Sequence, residues 1–243
     1  MSVVAIIPAR FAAVRLPGKP LLARTGKPLI QHVVENARRC RVLQRIVVAT
    51  DDQRIFDAVV GFGGEAAMTA ATHRCGTDRI AEAARKLGLA DDDVVVNIQG
   101  DEPEIPPSCI EALTAMLERT GAPMATLATP LAASQADNPN RVKVVLAKNG
   151  QALYFSRSRI PFDRDSSGKA GYLWHLGVYG YRAAFLKKFS ALPPTPAEEA
   201  EKLEQLRALE HGCPVAVAVV NYDGIGIDTP EDYAAFVARI GKK

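Results

Sequence analysis

The N-terminal part of the chain alternates between short, continuous apolar runs and stretches in which apolar residues recur at helical spacing. The run from Val3 to Ile7 is typical of a strand buried on both faces, and Ile30, Val33 and Ala37 then recur as on one face of a helix. The same alternation continues to residue 100, which predicts an open, mostly parallel α/β sheet. The further elements predicted here are strands at 45–50, 65–68 and 94–99 and helices at 55–60 and 80–87.

The pattern changes beyond residue 120, where several strands are predicted before the next helix. We still expect a single α/β domain over residues 1–243, with the polar stretch 156–172 forming a mobile loop or lid. Ser108 and Glu111 predict a capping box for one helix, and Thr229 predicts the N-cap of the last helix. The other elements predicted are strands at 124–131, 142–146, 152–155, 174–181 and 215–220 and helices at 183–189 and about 197–211.

Composition narrows the class of protein. With 243 residues, 48% of them hydrophobic, the chain can bury a large core. A net charge of +3 is too small for a nucleic-acid-binding face, so no nucleic acid partner is expected. No apolar run approaches the roughly 18 to 20 residues that cross a bilayer, and no signal-peptide pattern is present, so we expect a cytoplasmic protein without membrane insertion. The four cysteines lack Cys-x-x-Cys spacing and are interpreted as free thiols.

A basic loop links the first predicted strand to the first helix. Prolines at 8, 17, 20 and 28 stiffen this loop, which lowers the entropy lost when its cations are held in place. Because such loops lie at the ligand-binding edge of a parallel sheet, we interpret it as an anion site rather than a merely solvated loop. Its spacing fits neither a Walker A motif nor Gly-x-Gly-x-x-Gly. The cations that precede the first acid, Glu35, are Arg10, Arg15, Lys19, Arg24 and Lys27.

Two acidic residues, Asp101 and Glu102, follow the predicted strand at 94–99, which is the most strand-like run of the chain. Asp101 comes directly after this run, at the edge of the sheet where ligands bind. Carboxylate oxygens are the ligands that Mg²⁺ prefers, so Asp101 is predicted to bind a magnesium ion. The role of the neighbouring Glu102 stays open.

The basic loop carries a family resemblance. Pro8-Ala9-Arg10 together with Arg15-Leu16-Pro17-Gly18-Lys19-Pro20-Leu21 resembles the signature of the sugar-acid cytidylyltransferases. The resemblance implies a Rossmann-like nucleotide-diphospho-sugar transferase sheet, an inserted β-rich region at about 130–210 for sugar binding and dimerisation, and a homodimer. The strand at 174–181 is a candidate for the dimer interface. Further blocks that match the family lie at 49–51, 76–79, 97–103, 152–157, 175–181, 203–207 and 226–232.

The resemblance also implies a reaction. Such an enzyme transfers a cytidylyl group from CTP to a sugar acid and releases diphosphate, with 3-deoxy-D-manno-octulosonate (Kdo) as the expected acceptor, for lipopolysaccharide synthesis. The 2-hydroxyl of the sugar attacks the α-phosphorus, and fixed cations with Mg²⁺ stabilise the developing charge. Two alternatives stay open. One is the same transfer onto a related acid, sialic acid or 8-amino-Kdo, and the other is a non-catalytic nucleotide-sugar binding protein.

The family pattern assigns roles to individual residues. The catalytic set it implies is Arg10, Lys19, Asp101 and Asp228, in which Asp101 and Asp228 hold the metal. The residues implied for CTP are Ala9, Arg10, Arg15, Lys19, Arg74, Cys75, Gly76 and Thr77. The residues implied for the sugar acid are Gln99, Arg157, His175, Tyr179, Glu204 and Gln205.

Several of these assignments compete with a structural interpretation. Asp228 precedes Thr229-Pro230 and is equally typical of a residue at a helix terminus. Arg157 can anchor the following loop, and a histidine such as His175 within a strand is more often structural than ligand-binding. Cys75 departs from the family pattern, which has serine there, so a thiol replaces a stronger hydroxyl contact to the nucleotide.

Overall fold

The predicted alternation of strands and helices is present in a computed structural model that describes residues 1–12, 16–73, 75–223 and 226–241. The chain divides into two units, one made of residues 1–110 with the C-terminal segment from residue 224, the other of residues 111–223. Among the described residues, no helix is both long and apolar enough to cross a membrane.

The first unit is built on a four-stranded parallel sheet. Its elements are β1 (Val3–Ala9), α1 (Leu29–Ala37), β2 (Arg45–Thr50), α2 (Gln53–Gly61), β3 (Glu65–Met68), α3 (Gly76–Lys86), β4 (Val94–Asn97) and, at the C-terminus, α8 (Pro230–Ile240). The strand order in the sheet is β3-β2-β1-β4. Ala9, Thr50 and Met68 are partners in register, so β1, β2 and β3 end at the same edge. Ile6 pairs with Asn97, and the chain after β4 therefore continues beside the end of β1.

The predicted buried faces of this unit are confirmed. Residues Val3 to Ile7 are all buried, as expected for a strand covered on both sides. The helical positions Ile30, Val33 and Ala37 are buried as well, because α1 lays its apolar stripe on the sheet.

The C-terminal helix α8 belongs to the first unit. Its Tyr233 and Phe236 form a buried cluster with Leu29 of α1 and with Ile227. Thr229 caps the helix as predicted, since its side chain accepts a hydrogen bond from the backbone of Asp232 at 3.2 Å. This packing fixes the segment that carries Asp228.

Helix α4 (Pro107–Thr120) leads from the first unit into the second. The other elements of the second unit are β5 (Met124–Leu131), β6 (Lys143–Leu146), β7 (Ala152–Ser156), β8 (Tyr172–Arg182), α5 (Ala183–Phe189), α6 (Pro196–Glu201), α7 (Gln205–Glu210) and β9 (Val215–Val219). Strand β5 pairs with β8 in antiparallel and with β9 in parallel orientation. The hairpin of β6 and β7 joins this sheet through the pairing of β6 with β8.

Two local predictions are wrong. Helix α4 begins at Pro107, so Ser108 lies inside its first turn and is not the N-cap. The predicted helix at 197–211 is two short helices, because Lys202 adopts a left-handed conformation with φ of 53° and ends α6. The break places Arg207 of α7 against Glu198 of α6, with the two side chains in an ion pair at 2.5 Å.

The predicted dimer strand uses most of its apolar residues inside its own unit. Leu176, Val178 and Tyr181 of β8 are buried in the single chain, which leaves little of them for a partner. Exposed apolar side chains of the second unit are found instead at Leu153 and Phe162.

Candidate active site

The basic loop is folded tightly where it leaves β1. Gly18 has φ of 69° and donates its backbone N–H to the carbonyl of Phe11 at 2.9 Å. A β-carbon at Gly18 would lie 3.1 Å from the Phe11 ring, so only glycine fits this approach without displacing the ring. The Arg54 guanidinium carbon lies 3.4 Å from the centroid of the same ring. The turn is thereby held in place just before the 3₁₀ turn Lys19–Leu21.

Lys19 joins the two acids that the sequence assigns to the metal. Its Nζ donates a hydrogen bond to Asp101 Oδ2 at 2.6 Å and another to the Ile227 carbonyl at 2.8 Å. Asp228 Oδ1 lies 3.4 Å from the same nitrogen. The Lys19 side chain is only 13% exposed, against 29% for Asp101 and 46% for Asp228. Two segments far apart in the sequence, one at Asp101 and the other at Ile227 and Asp228, thus meet around one ammonium group.

A cavity of about 240 Å³ opens at this edge of the first unit. Arg10 and Lys19 line it with cationic groups, and Asp101 lines it with a carboxylate. Its small volume and mixed charge suit part of a phosphorylated ligand rather than an apolar one. The predicted site residues that share this cavity are Ala9, Arg10, Lys19, Gly76, Gln99 and Asp101.

The oxygen atoms around Lys19 fit a magnesium ion. Asp101 and Asp228 offer carboxylate oxygens and Ile227 a carbonyl oxygen, all hard donors of the type Mg²⁺ prefers. Within the described ranges no group of three or more His, Cys, Asp or Glu side chains is suited to a metal. Two carboxylates nevertheless suffice for Mg²⁺ when substrate phosphates complete its coordination.

Glu102 directly follows Asp101 in the chain. Its Oε2 is buried and has no hydrogen-bond partner among the described residues. Burial, reinforced by the negative charges of Asp101 and Asp228, raises the pKa of Glu102 to about 7. Burial and the same Glu102 raise the pKa of the Cys109 thiol to about 11, which keeps this cysteine protonated.

The turn before α3 carries the predicted nucleotide contacts. Cys75 is the N-cap of α3, and its Sγ accepts a long hydrogen bond from the backbone of Asp78 at 3.5 Å. A thiol thus takes the capping position that serine or aspartate usually fills. A β-carbon at Gly76 would lie 3.6 Å from Pro8, which brings this turn to the end of β1. Arg15 and Arg74, both predicted to bind CTP, lie outside the described residues.

Arg79 also lines the cavity, although the sequence did not single it out. The side chain is 2% exposed and pairs with Asp51 at 3.0 Å. A second hydrogen bond joins Arg79 to the Thr69 hydroxyl at 2.6 Å. A buried arginine of this kind ties together the loops after β2 and β3. Both Arg79 and Asp51 stand in blocks that match the family pattern, and this was the available signal.

In the second unit, three residues assigned to the sugar acid lie together. His175 Nε2 is 3.0 Å from the Thr126 hydroxyl, and burial lowers the pKa of His175 to about 3, so the ring is neutral. The centroid of the His175 ring lies 5.5 Å from that of Tyr179. The Tyr179 hydroxyl donates to Gln205 Oε1 at 3.1 Å, and burial with the charge of Glu204 raises its pKa.

His175, Tyr179 and Gln205 form a row of polar side chains, and the amide nitrogen of Gln205 has a hydrogen-bond donor that no described residue accepts. The residue is 3% exposed, and its Nε2 is buried without a hydrogen-bond partner in the described part of the chain. A buried amide without a partner costs free energy unless a ligand or water satisfies it. This atom therefore points to a polar ligand in the second unit.

Arg157, in contrast, is held by its own unit. Its Nε donates to the Glu201 carbonyl at 2.7 Å, and Nη1 donates to the Pro139 carbonyl at 3.1 Å. The Glu201 carboxylate in turn accepts from the Arg157 backbone N–H at 2.9 Å. These contacts support the interpretation of Arg157 as a loop anchor, and a contact with a sugar carboxylate stays a prediction.

The parallel sheet, the cationic loop and the acids at its edge define a class of nucleotidyl-transferring proteins. The family model described as Cytidylyltransferase matches residues 4–218. The chain therefore belongs to the cytidylyltransferase family.

More specific relatives extend over the full chain. A 3-deoxy-manno-octulosonate cytidylyltransferase of Syntrophobacter fumaroxidans is 55% identical over 240 residues, which cover 98% of this chain and 96% of the relative. An 8-amino-3,8-dideoxy-manno-octulosonate cytidylyltransferase of Shewanella halifaxensis is 49% identical over 243 residues, with 99% of each chain covered. A solved structure of CMP:2-keto-3-deoxy-manno-octonic acid synthetase complexed with CTP has a TM-score of 0.95 and 43% identity, over 100% of this chain and 99% of that one.

Proposed function

We propose that the chain catalyses the reaction of CTP with Kdo to give CMP-Kdo and diphosphate. The observation that carries the proposal is the meeting of Lys19, Asp101 and Asp228 beside a cavity that Arg10 also lines. The 55% identity to a 3-deoxy-manno-octulosonate cytidylyltransferase supports Kdo as the acceptor. Because CTP is made and used in the cytoplasm, we place the reaction there.

The first unit is proposed to bind the triphosphate. Arg10 and Lys19 neutralise phosphate oxygens and stabilise the charge that develops on the departing diphosphate. Arg15 and Arg74 add to this cationic set, while Ala9, Gly76, Cys75 and Thr77 present backbone and small side chains to the ribose and base. Magnesium, held by Asp101 and Asp228, would polarise the α-phosphate and help to offset the repulsion between CTP and the sugar carboxylate. Arg79 is proposed to fix the shape of this pocket through Asp51 and Thr69.

The second unit is proposed to contribute most of the sugar-acid contacts. A polyhydroxylated acid needs many neutral hydrogen-bonding groups, and His175, Tyr179 and Gln205 form such a row. The unpartnered Nε2 of Gln205 is proposed to donate to a sugar hydroxyl. Gln99, Glu204 and Arg157 complete the proposed set.

A homodimer is proposed as the assembled form. Leu153 is 62% exposed and Phe162 is 82% exposed in the single chain, and both lie within the region assigned to dimerisation. Light scattering coupled to size exclusion should give twice the chain mass of 26.1 kDa. Leu153→Glu should shift the protein toward monomer, whereas Val60→Glu, at an exposed site of the first unit, should not.

An 8-amino analogue of Kdo is a second candidate acceptor. It is favoured by the relative from Shewanella halifaxensis, whose 49% identity is close to that of the Kdo-named relative. The amino group carries a positive charge where Kdo has a neutral hydroxyl, so the two acceptors call for different partners at that end of the sugar.

The decisive experiment measures diphosphate release by purified protein with Mg²⁺. Each of CTP, UTP, ATP and GTP is combined with Kdo, 8-amino-Kdo or sialic acid, and kcat/KM is compared. We expect the highest value with CTP and Kdo. A higher value with 8-amino-Kdo would select the second candidate, and a higher value with sialic acid would reject both. If no combination of nucleotide and acceptor releases diphosphate, the remaining candidate is a non-catalytic nucleotide-sugar binding protein.

A further inference from the structure

Lys19 holds the oxygen atoms that are proposed to bind magnesium. Its Nζ is within hydrogen-bond distance of Asp101 Oδ2 and the Ile227 carbonyl, at 2.6 and 2.8 Å, and 3.4 Å from Asp228 Oδ1. The ammonium group thus provides the positive charge between the two carboxylates. A lysine that only binds phosphate would instead be expected to direct its ammonium group toward the phosphate rather than toward protein oxygens.

We propose that Lys19 and the divalent cation compete for this oxygen set, so that Lys19 keeps the metal out until nucleotide phosphates give its ammonium another partner. The proposal rests on the proposed function, because it takes Mg²⁺ and a nucleoside triphosphate as the ligands. It assigns Lys19 a second task besides phosphate binding, namely to couple the entry of the metal to that of the nucleotide.

Shared oxygen atoms and like charge make the two cations compete. Mg²⁺ binds carboxylate oxygens at roughly 2.0–2.1 Å in a near-octahedral shell. The Lys19 ammonium takes up lone pairs of the same carboxylate and carbonyl oxygens. Two positive charges on one set of oxygens also repel each other, most strongly where burial lowers the dielectric constant. The ion therefore binds both acids best when the ammonium group of Lys19 has moved away.

The main chain at Lys19 is fixed, so the exchange is a movement of the side chain. The Lys19 N–H donates to the Leu16 carbonyl at 3.1 Å, and its own carbonyl accepts from Leu22 at 3.2 Å. Pro20, which follows Lys19 directly, is buried. The flexible four-carbon stem of lysine, however, lets the ammonium reach a new partner from a fixed Cα. Arg10 lines the same cavity and provides a second cation for the incoming phosphates.

The proposal predicts how strongly metal alone binds to the nucleotide-free protein. Manganese is a suitable probe, because free Mn²⁺ is measured directly by its EPR signal. Lys19→Met removes the competing charge but keeps the length of the side chain, and we expect it to bind Mn²⁺ about tenfold more tightly than the unmodified protein. CTP should reduce the difference in Mn²⁺ affinity between the variant and the unmodified protein, because its phosphates draw the Lys19 ammonium away from the acids in the unmodified protein.

Control variants keep the experiment decisive. Lys27 is an exposed lysine of the same loop, and its ammonium pairs with the Glu35 carboxylate at 2.9 Å. Lys27→Met should therefore leave the affinity for Mn²⁺ unchanged. Asp101→Asn combined with Lys19→Met should cancel the tighter binding, which would locate it at the acid pair. Lys19→Gln serves if the methionine variant does not fold, and thermal denaturation shows which variants are native.

Equal or weaker Mn²⁺ binding by natively folded Lys19→Met or Lys19→Gln would overturn the inference. This result is distinct from failure of the proposed function, which diphosphate release by the unmodified protein decides separately. If the unmodified protein releases diphosphate but the Lys19 variants bind Mn²⁺ no more tightly, only the proposed competition is rejected. If the unmodified protein is inactive but the Lys19 variants bind Mn²⁺ more tightly, only the proposed reaction is rejected.

Discussion

Gly100 lies so close to the carbonyl oxygen of Pro8 that a β-carbon at this position would be only 2.9 Å from it. This contact sets the loop that carries Asp101 against the end of β1. Neither partner can yield easily, because the oxygen belongs to the backbone of a buried strand.

Gly100→Ala should therefore destabilise the protein and weaken the site together. We expect a loss of about 1–3 kcal/mol in the free energy of unfolding, as is typical of overpacking, and a lower kcat/KM. Urea denaturation and diphosphate release measure the two effects. Gly61→Ala is the control, since nothing lies within 4 Å of a β-carbon there. Equal stability of the two variants would contradict the close contact.

Gly18→Ala tests the fold of the basic loop. The positive φ of 69° costs alanine about 1 kcal/mol, and the new methyl group also meets the Phe11 ring at 3.1 Å. We expect a higher KM for CTP, because Lys19 follows directly. Gly26→Ala carries the same conformational strain, with φ of 86°, but has open space around it. Its KM for CTP should stay near normal, and a matching rise in both variants would count against the Phe11 contact.

Asp101→Asn should abolish most turnover while the fold persists. The neutral amide binds Mg²⁺ more weakly than a carboxylate, and we expect kcat to fall by about 10²-fold or more. Circular dichroism and thermal denaturation establish that the variant is folded. Asp92→Asn, with a side chain that is 69% exposed near the N-terminus, is the matched control and should keep normal turnover. Near-normal activity of folded Asp101→Asn would refute the metal role.

Most of the secondary structure was predictable because it depends on local patterns. Strands β2 and β3 and helix α5 have the bounds that apolar runs and helical spacing predict. The helix predicted at 197–211 failed at Lys202, which is a good helix former by propensity but takes a left-handed conformation so that α6 and α7 can pair Glu198 with Arg207. Such a tertiary pairing leaves no mark in the local pattern.

The sequence suggested residues for the candidate site but not the contacts between them. Lys19 was predicted as a cation for phosphate and Asp101 as an acid for metal, each from its own part of the chain. Their direct hydrogen bond joins residues 82 positions apart, and no spacing rule anticipates it. Arg79 was missed for a similar reason, since its partner Asp51 lies in another loop.

The acid dependence of stability should report on Glu82. Its carboxylate accepts hydrogen bonds from Lys86 at 2.8 Å, from the Ala70 backbone at 2.9 Å and from His73. Burial acts to raise the pKa of Glu82, but these partners outweigh it and lower the pKa to about 2 from the ordinary 4.5. The native state thus binds fewer protons than the unfolded state in this range. The stabilisation is complete above about pH 4.5 and is lost as the pH falls toward 2.

Glu82→Gln should consequently destabilise the protein at pH 7 and much less at pH 3, as measured by urea denaturation. Glu65→Gln is the control, because the ion pair of Glu65 with Arg45 is on the surface and contributes roughly 0–1 kcal/mol. Parallel stability curves for Glu82→Gln and the unmodified protein across this pH range would contradict the assignment.

Gln205→Glu tests the row of polar groups in the second unit. The substitution removes the buried Nε2 donor and adds a charge beside the Tyr179 hydroxyl. We expect the KM for Kdo to rise by about tenfold or more, while the KM for CTP changes little. Gln135→Glu, at an exposed position of the same unit, should alter neither constant. An equal rise in both KM values would point to a general loss of structure.

The return of the chain to the first unit at α8 has a consequence for how the protein is made. The ribosome synthesises the chain from the N-terminus to the C-terminus, so the loop with Lys19 emerges long before Ile227 and Asp228 do. The whole second unit, residues 111–223, is synthesised in between. During that interval Leu29 lacks the Tyr233 and Phe236 side chains that cover it, and Lys19 lacks two of its oxygen partners. The first unit is thus completed only after the second unit has been synthesised.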